Sequence, residues 1–135
     1  METREKTPKP LVLVIDDDPS ITDVVEMALE QLGYETICCH TVDAAKAQVL
    51  KRSPDVVLVD SRIPGSNGAE FMSWFSKADG KEKLVLMSAA ADIESIAARA
   101  GGVSFLRKPF SLDALEDTLR QRLEILTNVD RFVEA

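Results

Sequence analysis

The chain's 135 residues provide room for about one domain of common size and leave none for a second. Hydrophobic residues at 45% and charged residues at 29% support a packed core and exclude disorder or a disulfide-dense miniprotein. The excess of 23 Asp+Glu over 16 Lys+Arg gives a net charge of -7, which repels a phosphate backbone and argues against direct nucleic-acid binding.

Residues 1–10 (METREKTPKP) are charged, carry prolines and lack apolar periodicity, so a flexible leader is expected. Leu11–Ile15 is the longest apolar run and reads as a strand buried on both faces. It falls far short of the roughly 20 residues that span a bilayer, so neither membrane insertion nor an export signal is expected. The run stops at Asp16, Asp17 and Asp18. From Ser20, apolar residues at Ile21, Val24, Val25, Leu29 and Leu32 mark one helical face, with Gly33 as the C-terminal cap. Asp18 and Ser20 are read as capping residues around Pro19.

Residues 34–39 predict a second strand. Its adjacent Cys38 and Cys39 neither close a loop nor show metal-ligand spacing, so they are assigned to packing and to a reducing cytoplasm. Thr41 caps a predicted helix to about residue 51, where Ser53-Pro54 stops it. Residues 55–59 give a third strand ending at Asp60. SRIPGSNG is expected to be a loop, and residues 69–76 a short helix burying Phe71 and Phe75, with Trp74 on a partly exposed face.

Residues 84–87 predict a fourth strand. A helix over 92–100 ends at Gly101-Gly102, and a fifth strand covers 103–107. Ser111 caps the last helix, whose Leu112, Leu115, Leu119, Leu123 and Leu126 follow core spacing. Val129, Phe132 and Val133 prolong the pattern, interrupted by the poor helix formers Thr127 and Asn128.

Alternating short strands and amphipathic helices predict an α/β fold with a doubly wound parallel sheet, in which ligands bind beyond the carboxyl ends of the strands. Those ends carry Asp16-Asp17-Asp18, Asp60, Ser88 and Lys108-Pro109. Carboxylates gathered there repel one another unless a cation is present, and oxygen-only ligands suit Mg²⁺. A carboxylate beside Mg²⁺ can attack a phosphoryl group while a lysine and a hydroxyl meet the charge on its oxygens. Asp60, Lys108 and Ser88 fit those three roles.

LVLVIDDDPSI, VVLVDSRIPGSNG, VLMSAA and FLRKPF, in this order and spacing, resemble the receiver domain of two-component response regulators. The resemblance spans residues 11–126. It implies a flavodoxin-like (βα)5 fold with strand order 2-1-3-4-5, a Mg²⁺ site at Asp16, Asp17, Asp60 and the backbone carbonyl of Arg62, and Asp60 as phosphoacceptor. It further implies Ser88 as the switch hydroxyl, Phe105 as the aromatic that turns inward on phosphorylation, Lys108 as the site lysine, and a cis Lys108-Pro109 bond. Arg62 and Ala90 occupy the positions that tune phosphoryl lifetime in the family.

The implied activity is self-phosphorylation from the phosphohistidine of a histidine kinase or phosphotransferase, followed by hydrolysis, with no outside substrate. The implied output is a downstream protein docking on the face formed by helix four, strand five and helix five. A stand-alone cytoplasmic receiver is expected, with residues 127–135 as a C-terminal extension that docks on the domain or on a partner.

Taken singly, Asp60 and Ser88 suit turns and Lys108 suits a solvated surface; only their coincidence at successive strand ends favours a site. His40 is read as a surface residue without a role. The alternative is a degenerate receiver serving as a constitutive interaction module. Two further rivals fit less well: the loop after strand one lacks the phosphate cradle of a flavodoxin-like carrier, and Arg62 stands where an aspartyl-nucleophile phosphatase would place its second acid.

Overall fold

The computed structural model of the chain describes residues 9–63 and 66–134, with the side chains of 63, 66–67 and 125–134 outside that description. Strands β1 (Leu11–Ile15), β2 (Glu35–Cys39), β3 (Val56–Asp60), β4 (Leu84–Ser88) and β5 (Ser104–Arg107) form one parallel sheet in the order β2-β1-β3-β4-β5. The helices are α1 (Pro19–Gln31), α2 (Val42–Lys51), α3 (Gly68–Ala78), α4 (Ile93–Arg99) and α5 (Leu112–Glu134), with a 3-10 turn at Lys81–Lys83. Among the described residues, no helix is long and apolar enough to cross a membrane.

Alternation along β1, β3 and β4 sends their side chains to two separate cores. Leu13, Ile15, Val57, Val59, Leu84 and Leu86 pack with Ala45 of α2, Phe71 and Phe75 of α3 and Ile93 of α4. Val12, Val14, Val56, Leu58, Val85 and Met87 pack on the other face with Val25 and Leu29 of α1 and Leu115 and Leu119 of α5. Both faces of the central strands are therefore covered, which is why they read as unbroken apolar runs. Phe71 and Phe75 are fully buried and their rings stack 5.9 Å apart.

Local chemistry sets the helix ends. Asp18 caps α1 by accepting from Ser20 N–H, with Pro19 in the first turn. Ser20 lies inside the helix, and its hydroxyl donates back to Asp18 at 2.7 Å. Thr41 caps α2 through Ala44 N–H, and Ser111 accepts from Ala114 N–H at the start of α5. Gly33, Gly101 and Gly102 adopt positive φ where α1 and α4 end, a conformation that costs glycine little. Trp74 is half-buried beside Phe71, with Lys46 Nζ 5.4 Å from its ring centroid.

Several expectations are corrected. The segment after β3 is not wholly loop, because Arg62–Ile63 and Ser66–Asn67 form a short antiparallel ladder and α3 already begins at Gly68. Asp60 and Ser88 are the last residues of β3 and β4, since each still pairs with a neighbouring strand. Leu112, the first residue of α5, is exposed and does not join the core. Thr127 and Asn128 do not interrupt α5, whose backbone runs to Glu134; their low propensity is outweighed by the cooperativity of a helix already begun. Pro10, assigned to the leader, accepts from Glu35 N–H at 2.9 Å, whereas residues 1–8 lie outside the described residues, as do the side chains of Leu126, Val129, Phe132 and Val133.

Candidate functional site

Strand register assembles the site. Ile15 of β1 is level with Val59 of β3, so the residues that follow, Asp16 and Asp60, emerge side by side. Asp60 is level with Met87 and Ser88 with Arg107, which places Ser88 and Lys108 each one step beyond on the next strand. The Lys108 N–H donates to the Ser88 carbonyl at 2.8 Å and extends the ladder to the residue that bears the amine. The Lys108-Pro109 bond is cis.

Asp16, Asp17 and Asp60 offer carboxylate oxygens that all lie within 4.8 Å of one another. Asp16 and Asp60 are buried and Asp17 is exposed. Lys108 Nζ is 2.6 Å from Asp16 Oδ2 and 3.6 Å from Asp60 Oδ2, and Asp18 N–H donates to Asp16 Oδ1 at 3.1 Å. Both oxygens of Asp16 are thus held, which fixes its orientation. Burial pushes the Asp60 carboxyl above the usual carboxylate range, with the Asp16 charge adding to the rise and the Lys108 ammonium opposing it.

The donor set fits a hard divalent cation. Among the described residues the three carboxylates lie together while Lys108 pairs with two of them, the ligands are oxygens only, and one carboxylate is open to solvent. Arg62 is exposed, and its backbone N–H points to Asp60 Oδ1 at 3.3 Å. Ser88 is buried, with Oγ accepting from Ala90 N–H at 3.0 Å. Phe105 is 37% exposed. His40 is exposed and bonds Thr22 Oγ1 through Nε2 at 3.1 Å, so it is spent on the α1–β2 contact. Cys38 and Cys39 are free thiols in β2.

Two residues next to the site escaped the motif-based expectations. Gly68 sits so close to β3 that a Cβ there would lie 2.5 Å from the Asp60 carbonyl oxygen. Its signal was its place as the last residue of a Pro/Gly-rich loop before a helix, where backbone can approach backbone. Ser61 directly follows Asp60, and its N–H donates to Met87 O at 3.0 Å, which sets it beside β4.

Residues 12–120 match the family model described as the response regulator receiver domain. Sporulation initiation phosphotransferase F of Bacillus subtilis is 27% identical over 119 residues, covering 87% of this chain and 96% of that protein. The C4-dicarboxylate transport transcriptional regulatory protein DctD of Pseudomonas aeruginosa is 32% identical over 116 residues, covering 84% of this chain. This chain spans only 25% of the length of DctD. The crystal structure of the receiver domain of NtrX from Brucella abortus superposes with a TM-score of 0.78 at 32% identity, covering 84% of this chain and 98% of that one. With a parallel sheet in the receiver order and a family match over most of its length, the chain belongs to the receiver domain family of response regulators, the proteins of phosphorelay signalling.

Proposed function

We propose that this chain accepts a phosphoryl group on Asp60 from the phosphohistidine of a histidine kinase or phosphotransferase, and that the modified form presents a changed surface to a downstream protein. The observation that carries the reading is Asp60 at the end of β3, within reach of a second buried carboxylate, an exposed one and the Lys108 amine.

Asp16, Asp17, Asp60 and the backbone carbonyl of Arg62 would hold Mg²⁺. When bound, the ion supplies positive charge to the phosphoryl oxygens and relieves the repulsion among the carboxylates. The chain's own residues supply the rest. An Asp60 carboxylate oxygen forms the new bond to phosphorus as the P–N bond of phosphohistidine breaks; the bonding pair returns to the imidazole nitrogen, which is protonated. Lys108 leaves Asp16 in part to meet the charge on the transferred group, and Ser88 supplies a hydroxyl donor. Water then cleaves the acyl phosphate, so the turnover is of the protein itself.

The surface read by a partner is the α4-β5-α5 face. Phe105 on β5 is partly exposed in this state, and an inward turn on phosphorylation would change what α4 and α5 present. A partner responds to that change only if it binds the two forms with different affinity. Residues 11–126 are proposed as the receiver and 127–135 as an extension that docks on the domain or a partner. The chain is proposed to act in the cytoplasm.

The test is the intact mass of wild type and Asp60→Asn after incubation with Mg²⁺ and a small acyl or amide phosphodonor, with a metal-free control. A metal-dependent phosphoryl adduct on wild type alone is expected. No adduct on either protein would replace this reading with a constitutive interaction module.

A further inference from the structure

Ser61 has no part in the mechanism above, yet its hydroxyl touches the proposed switch residue directly. Ser61 Oγ lies 2.8 Å from Ser88 Oγ and donates to it. Ser88 Oγ also accepts the Ala90 N–H at 3.0 Å, a local turn that draws the hydroxyl toward the β4–α4 loop. That loop is tied in turn to β5, where the Arg107 guanidinium donates to the Ala90 carbonyl at 3.3 Å.

Neither end of the Ser61–Ser88 contact is free to drift. The Ser61 backbone is fixed by its N–H bond to Met87 O at 3.0 Å, and Ser88 is buried as the last residue of β4. The Asp60 carboxylate is met by Arg62 N–H and Lys108, and Ser88 is not among its partners. Ser88 Oγ is therefore held by two donors, the Ala90 N–H and the Ser61 hydroxyl.

Resting on the reading of Asp60 as phosphoacceptor, we infer that Ser61 is a positioning residue that latches the Ser88 hydroxyl in the unmodified arrangement, so that Ser88 must release Ser61 to reach a phosphoryl group on Asp60. The latch acts on the equilibrium between the two arrangements. It stabilises only the unmodified one, and its removal shifts the population toward the phosphoryl-engaged one. A neutral hydrogen bond of ordinary net strength corresponds to a shift of about fivefold.

The experiment compares wild type, Ser61→Ala and Ser61→Thr at saturating Mg²⁺, titrated with beryllofluoride as a phosphoryl mimic. Affinity is read by calorimetry and the Ala90 amide by NMR. Ser61→Ala is expected to bind the mimic about fivefold more tightly, and its Ala90 amide, before any mimic is added, is expected to lie displaced along the wild-type titration line. Ser61→Thr keeps a hydroxyl and is expected to return both readouts to wild type. Equal or weaker affinity in Ser61→Ala with an unmoved Ala90 amide overturns the latch, as does a threonine variant that behaves like alanine. A wild type that fails to bind the mimic overturns the phosphoacceptor reading itself, and the latch falls with it.

Discussion

Lys108 Nζ lies 2.6 Å from Asp16 Oδ2, although the two residues are 92 positions apart and two strands separate β1 from β5. The lysine side chain reaches back over the ends of β4 and β3 to neutralise a fully buried carboxylate. Replacing Lys108 with Met leaves that charge without its partner. The expected loss is about 3 kcal/mol of stability, the scale for breaking one side of a buried pair. Denaturant unfolding with and without Mg²⁺ checks it: the loss is expected to shrink with the ion present, and a midpoint equal to wild type in both conditions contradicts the account.

Asp60 is buried beside Asp16, and its carboxyl is raised above the usual range chiefly by burial. A raised carboxyl holds its proton more tightly in the folded state. Its stability contribution is full below the unfolded value of 3.8 and is lost as pH rises through the folded value. At neutral pH without metal the ionised group therefore weakens the fold, and Asp60→Asn is expected to melt at a higher temperature than wild type. The difference should close as pH falls below the unfolded value. A metal-free asparagine variant that melts lower at pH 7 would contradict this.

Gly68 opens α3 against the backbone of β3, where an added Cβ would stand 2.5 Å from the Asp60 carbonyl oxygen. Backbone cannot yield as a flexible side chain does. Gly68→Ala is expected to cost about 1–3 kcal/mol, the range for overpacking, and to slow adduct formation by displacing Asp60. Melting curves and the rate of mass gain with a phosphodonor test the two effects together; unchanged values in both would show that α3 moves away freely.

Burial pushes the Cys38 thiol up to about 12, with nearby Glu26 adding to the rise. The folded state keeps the thiol protonated, so its contribution to stability is full below the free value of 9.0 and lost as pH climbs toward about 12. At pH 8 its thiolate fraction is roughly a thousandfold below that of a free thiol, given tenfold per pH unit. Disulfide-reagent titration is expected to label Cys38 far more slowly in native than in denatured protein. Labelling at equal rates would place the thiol in solvent instead.

Arg62 is exposed, and only its backbone N–H approaches Asp60, at 3.3 Å. Its side chain is proposed to tune how water reaches an acyl phosphate on Asp60. Arg62→Ala is expected to change the decay rate of the phosphoryl adduct several-fold while wild type and variant both become phosphorylated. Time courses of intact mass after removal of the donor check this, and superimposable decays would refute it.

Much of the fold was legible in the chain because its signals are local. The apolar run 11–15, the asparagine-free caps Asp18 and Thr41, and the positive-φ glycines after α1 and α4 each depend on neighbours within a few residues. The acidic ends of β1 and β3 were legible for the same reason. Where a longer-range effect competes, local signals fail: Thr127 and Asn128 are poor helix formers, yet α5 continues across them, and the Pro/Gly segment after Asp60 closes into a short ladder.

The sequence by itself determined which residues bear carboxylates, hydroxyls and amines, and that they stand at the ends of successive strands. It could not determine how far apart they stand, since a parallel sheet joins strands through crossovers and the register is settled only when both faces are packed. Tertiary structure alone decided that Lys108 spends its charge on Asp16 before Asp60, that Gly68 must lack a side chain, and that Ser61 meets Ser88. Each is a contact across 8 or more positions of chain: strand alignment from β1 through β5 sets the Lys108 and Ser61 contacts, and the seating of α3 on β3 sets that of Gly68.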